Sequence, residues 1–156
     1  QVDRFMLKCK VDYPSKDDER RIMNRFTRDN DIELKPVMSI EQIATMRGIL
    51  DQVYCDEKVG DYILDIVFAT RKPSDYKVNI DHQIEYGASP RASLFLNLAA
   101  RANAMLNGRA YATPQDVKEI AHDVLRHRVI LTYEAEAEDV TSEDVITHIL
   151  SEIPVP

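Results

Sequence analysis

Three consecutive residues, Ser89-Pro90-Arg91, carry the clearest chemical signal in this chain. Serine is a preferred N-cap, and proline suits the first helical position, where no backbone N–H is required. Gly87 supplies a flexible approach to them. Arg91 then falls in the first turn of a helix, where the dipole disfavours a cation by about 0.3–1 kcal/mol. A guanidinium and free backbone N–H groups facing one space could hold an anion such as a phosphate. Taken alone, the spacing favours the plainer reading, a solvated arginine on an ordinary helix start. A second arginine, Arg4 in Asp3-Arg4-Phe5, stands just before a strand-like run. From a loop it could reach a neighbouring subunit and stabilise developing phosphoryl charge. Spacing alone favours a surface arginine paired with Asp3.

The rest of a nucleotide site is missing. No G-x-x-x-x-G-K-[ST] loop is present, and the four glycines, Gly48, Gly60, Gly87 and Gly108, form no phosphate-cradling run. No apolar strand ends in paired acids that would suggest a magnesium-binding element. His82, His122, His127 and His148 lack zinc spacing with cysteine, so no metal site is expected. No nucleophile sits in a recognisable elbow. Cys9 and Cys55 lack metal or redox spacing; a reduced cytoplasmic setting is the default and a single disulfide the alternative. A net charge of −7 argues against a general nucleic-acid binder. There is no signal peptide and no apolar run of membrane-spanning length. The chain opens at Gln1 in mid-pattern, which suggests a fragment.

The elements that must position these residues are mostly helical. Residues 5–13 alternate in part and predict a strand, ended by Pro14. A lone strand is not stable, and no partner strand is evident in the chain. Ser15 caps a helix with acids in its first turn, Arg25 and Arg28 near its end, and an apolar stripe of Ile22, Met23 and Phe26. Ser39 and Gln42 form a capping box, with Met38 and Ile43 as a hydrophobic staple, for a helix burying Ile43, Met46, Leu50 and Val53. Asp56 opens a third helix. Residues 73–88 read as a long polar connection, either functional or partly mobile. The helix from Pro90 to Asn107 is apolar over most of its circumference, with Leu98 in its core face and Gly108 as its left-handed stop. Thr113 and Thr141 open two more helices. Between these lie a β-like run, Val129 to Tyr133, and an acidic connector, Glu134 to Asp139. The predicted fold is mainly α: a helical bundle over residues 15–156, with a short N-terminal β-strand in residues 1–14.

Several segments, in order, give the chain a family likeness. Val2-Asp3-Arg4-Phe5-Met6, followed by Lys8-Cys9-Lys10-Val11-Asp12-Tyr13-Pro14, resembles the end of the ATPase core in MoxR-type AAA+ ATPases. Gly87-Ala88-Ser89-Pro90-Arg91-Ala92-Ser93 resembles their sensor-two segment. Lys35 to Ser39, Gly108 to Val117 and Val124 to Arg128 resemble further parts of the family's helical lid.

The resemblance implies an AAA+ lid preceded by the last strand of the core, with the Walker A and Walker B elements upstream of Gln1. It makes Arg91 the sensor-two arginine, beside Ser89 and Pro90 in the nucleotide-binding segment. It makes Arg4 an arginine finger acting in trans on the adjacent protomer. The parent would hydrolyse ATP with Mg2+ in a cytoplasmic ring, usually a hexamer, to remodel or mature a protein client. This chain alone, without the Walker elements, is expected neither to hydrolyse ATP nor to hold it tightly. Two other readings stand beside this one. One is a helical protein-interaction module with no nucleotide role, docking through its acidic tail and an exposed third helix. The other is a DNA-binding helical domain, which the acidic balance opposes.

Overall fold

The computed structural model describes residues 1–27 and 34–156; Arg28, expected near the end of the first helix, lies outside the described residues. Seven α-helices are formed among the described residues: α1 (Lys16–Phe26), α2 (Ile40–Leu50), α3 (Glu57–Ala69), α4 (Pro90–Leu106), α5 (Pro114–Leu125), α6 (Tyr133–Ala137) and α7 (Ser142–Glu152). The mainly α architecture expected from the sequence is thus the one adopted. Every start signal singled out above is used. Ser15, Ser39, Asp56, Ser89, Thr113 and Thr141 each accept a backbone N–H of the first turn of their helix. Gly108 takes φ +71°, and the Arg109 amide returns to the Ala104 carbonyl. That is the Schellman closure of α4, which satisfies carbonyls the helix end would otherwise leave open.

Helix α4 is central, packed against α5 and α3, while α7 closes over α5 and α3. Its contact face is built of small residues, Ala92, Ala99, Ala100 and Ala104, around a fully buried Leu96. Small side chains let neighbouring helices approach closely and still fill the space. Leu98, expected at the centre, is only half-buried, and Leu94 and Leu106 face solvent. Helix α3 buries Val59, Tyr62, Ile63, Ile66 and Val67, so it is a core helix and not the exposed docking helix considered above.

Among the described residues four short strands tie loops together. β1 (Tyr54–Cys55) runs parallel to β3 (Tyr111–Ala112), with Tyr54 opposite Tyr111. β2 (Ile84–Tyr86) runs antiparallel to β4 (Ile130–Leu131), with Ile84 opposite Leu131. The connection 73–88 is therefore ordered: two 3-10 turns, Pro73–Tyr76 and Asp81–Gln83, lead into β2. Its apolar residues Val78 and Ile80 are buried, which ties the segment to the core. The acidic connector likewise contains α6, capped by Thr132 and anchored by the buried Ala135.

The N-terminal third behaves differently. Residues 5–13, expected as a strand, join no sheet: a 3-10 turn at Val2–Arg4 leads into a stretch whose Lys8 amide donates to the Asp123 carbonyl. A strand exists only within a ladder, and no described strand lies beside this one. Helices α1 and α2 bury no residue. The stripe Ile22, Met23, Phe26 and the staple Met38–Ile43 are exposed, and Val53 alone of the four residues expected under α2 is fully enclosed. Cys9 and Cys55 are both free thiols. No helix among the described residues is long and apolar enough to cross a membrane.

Candidate functional site at the start of helix α4

The approach to α4 is pinned by the end of α3. The Ala88 amide donates to Thr70 Oγ1 at 2.9 Å, and Arg71 Nε donates to the Ala88 carbonyl at 2.7 Å. Gly87 runs so close to this helix end that a Cβ would sit 2.3 Å from the Thr70 carbonyl oxygen. Contact that near excludes any side chain, so glycine here is a packing requirement. Ser89 and Pro90 then start the helix as their types dictate, and the Arg91 amide donates to Ser89 Oγ at 3.3 Å.

An anion already occupies this helix start, and it is Asp3. Ser89 Oγ donates to both Asp3 carboxylate oxygens at 2.9 and 3.0 Å, and Arg91 Nη1 donates to Oδ2 at 3.2 Å. Arg128 Nε reaches Oδ1 at 3.1 Å from the other side. Burial acts to raise the Asp3 carboxyl pKa, but the hydrogen bonds from Ser89 and Arg91 and the Arg128 charge outweigh it and hold the group below its ordinary range. The arrangement can bind a negatively charged oxygen acceptor, as the N-terminal end of a helix dipole and a guanidinium should. The Arg91 side chain remains 58% exposed, so an outside anion can reach it.

Arg128, the last residue of the Val124 to Arg128 segment, organises the other half of the site. Its side chain is fully enclosed. Nη2 donates to the Asp3 and Phe5 carbonyls at 2.8 and 2.6 Å, and Nη1 to the Met6 and Val124 carbonyls. The guanidinium carbon also lies 5.0 Å from the centre of the Phe95 ring. Its neighbours help: Arg126 binds the Lys8 carbonyl, Asp123 and Glu143, and His127 Nε2 lies 3.0 Å from the Phe5 carbonyl oxygen. Burial, with the Arg128 charge adding to it, pushes the His127 pKa down against that hydrogen bond. Residues 3–8 are thus strapped to the end of α5 by Arg126, His127 and Arg128. The only sequence signal for this was a run of basic residues set between the apolar Val124-Leu125 and Val129.

The structure brings Ser89, Pro90 and Arg91 together with the turn that carries Arg4. Arg4 itself is exposed, its guanidinium carbon 5.5 Å from the centre of the Phe5 ring. The Asp3–Arg4 pair weighed above gives way to Asp3 bound by Ser89, Arg91 and Arg128. A cleft of about 350 Å3 opens here, lined by Asp3, Gly87, Ser89, His127 and Arg128. Among the described residues no three His, Cys, Asp or Glu gather into a group able to hold a metal ion.

Comparison with known proteins places the region that contains this site in a family. Residues 77–149, which include the α4 start and Arg128, match the family described as AAA lid domain. The chain is 40% identical over its full length to the Chaperone MoxR1 of Mycobacterium tuberculosis, of which it covers 41%. It is 34% identical over its full length to YeaC of Bacillus subtilis, covering 47% of that protein. A crystal structure of a candidate ATPase from Cytophaga hutchinsonii superposes with a TM-score of 0.94 at 38% identity, over 99% of this chain and 48% of that one. The chain therefore spans less than half the length of each of these relatives. Residues 77–149 thus carry an AAA lid domain, and the chain is similar along its whole length to MoxR-type AAA+ proteins.

Proposed function

We propose that this chain is the nucleotide-sensing lid of an ATP-hydrolysing MoxR protein, with residues 1–14 the end of its ATPase core and residues 15–156 the lid. The observation that carries the reading is the carboxylate of Asp3 held by Ser89 and Arg91 at the start of α4. A site that binds one carboxylate in this way suits a phosphate oxygen. In this reading Arg91 is the sensor-two arginine. It meets the terminal phosphate of ATP, with Ser89 and Pro90 fixing the helix start beneath it. The phosphate cradle and the Mg2+ ligands belong to the core. Arg4, exposed on the strapped turn, is the arginine finger that reaches ATP on an adjacent protomer. A site shared between protomers requires a ring, which we take to be hexameric and cytoplasmic. The relative named Chaperone MoxR1 supports chaperone-like remodelling of a protein client as the work done by hydrolysis.

The exposed apolar faces of α1 and α2 favour a second role, docking of protein surface, which is compatible with the first. A purely docking module makes different predictions. In the full-length ATPase, Arg4→Ala should lower turnover about 10³-fold, the low end for an arginine finger, and leave ATP binding within a fewfold of the parent. Steady-state ATPase assays and an ATP titration read both quantities. Turnover unchanged by Arg4→Ala would overturn its assignment as a finger.

A further inference from the structure

Asp3 meets three donors that belong to two different parts of the lid. Ser89 and Arg91 open α4, whereas Arg128 lies enclosed behind the end of α5. Arg128 also grips the chain on both sides of Arg4, through the Asp3 and Phe5 carbonyls at 2.8 and 2.6 Å. The backbone of Arg4 is therefore fixed between two anchored residues while its side chain stays exposed.

We propose that Asp3 is a positioning residue that couples Arg91 to Arg4: its carboxylate holds Arg91 until a triphosphate takes over, and its tie to Arg128 fixes the turn that aims Arg4. This inference rests on the reading of the two arginines given above. Phosphate oxygens and the Asp3 carboxylate compete for one guanidinium, because both are anions seeking the same exposed donors of Arg91. Arg128 is enclosed and does not take part in that exchange, so Asp3 keeps one partner when Arg91 turns to nucleotide. Engagement of ATP by Arg91 thereby changes what holds the turn bearing Arg4. Linkage makes the effect reciprocal: placing Arg4 on a neighbour's nucleotide alters the affinity of Arg91 for its own phosphate.

Removing the Asp3 charge should move two quantities in opposite directions. In the full-length ATPase, Asp3→Asn keeps the size of the side chain and an acceptor for Ser89, but frees Arg91 and loosens the Arg4 turn. ATP affinity should rise about two- to fivefold, the worth of one exposed ion pair, while kcat falls about tenfold through misplacement of the finger. Asp3→Glu, which restores the charge on a longer arm, should recover part of kcat. In an Arg91→Ala background, Asp3→Asn should no longer raise ATP affinity. Melting temperature is the control, since a merely structural role lowers it and moves affinity and kcat downward together. If Arg4→Ala and Arg91→Ala each cripple turnover but Asp3→Asn leaves both affinity and kcat unchanged, or lowers them together, the coupling is wrong and the site reading stands. If Arg4→Ala and Arg91→Ala are themselves without effect, the site reading fails and the coupling falls with it.

Discussion

Helices α1 and α5 begin in nearly the same way and end in opposite situations. Each follows a hydroxyl N-cap with an aspartate three residues on: Ser15 and Asp18 in α1, Thr113 and Asp116 in α5. Each carries an apolar stripe. In α5 the stripe Val117, Ala121, Val124 and Leu125 is buried under α4 and α7. In α1 the stripe Ile22, Met23 and Phe26 is exposed. The aspartates differ in the same sense. Asp116 is buried and receives hydrogen bonds from Arg109, Thr113 and Asn103, whereas Asp18 meets Arg21 at 3.3 Å on the surface. Local grammar dictates where a helix starts; what the helix is worth depends on what covers it.

Substitutions that strike the two regions alike should separate them. Leu96→Ala, fully buried in α4, should destabilise by about 2–5 kcal/mol, while Ile22→Ala on α1 should stay within about 0.5 kcal/mol. Chemical denaturation of both variants measures the gap, and similar losses would mean that α1 is packed after all. Asp116→Ala should cost about 2–3 kcal/mol, because it strips the partners of a buried carboxylate. Asp18→Ala should cost under about 1 kcal/mol, as an exposed pair with a cap.

The same aspartate predicts an acid response. Burial acts to raise the Asp116 pKa, but the hydrogen bonds from Arg109, Thr113 and Asn103 prevail and hold it well below its ordinary value of 3.8. A folded-state pKa below the unfolded one contributes stability that is complete above the unfolded value and fades as pH falls through the folded one. The parent should therefore lose stability more steeply than Asp116→Ala between about pH 4 and pH 2. Parallel stability curves for the two would show that Asp116 is not held as described.

The comparison also explains what the sequence made legible. Caps, the Gly108 stop and the central position of α4 are encoded within a few residues, and all were readable. The core face of α4 was not narrowed to one side: Leu98, expected in the core, is half-buried while Leu96 is fully buried, because a helix apolar on most sides gives a poor bearing on which side is covered. Strands β1–β4, of two or three residues each, are too short for period-two alternation to register. The candidate site divides in the same way. Ser89, Pro90 and Arg91 announce themselves by local type and spacing. Asp3 and Arg128 lie 125 positions apart, and nothing local in either predicts their pairing. Asp3 was read against its sequence neighbour Arg4, when its partners are supplied by the tertiary fold.

The account turns on Arg91 at the start of α4. The direct test is steady-state ATP turnover of the full-length protein carrying Arg91→Ala, with melting temperature measured alongside. The account predicts a fall of about 10²-fold or more, the usual cost of a lost charge-stabilising donor, at an unchanged melting temperature. Turnover within twofold of the parent, with the fold equally intact, would contradict it and leave Arg91 as no more than a surface partner of Asp3.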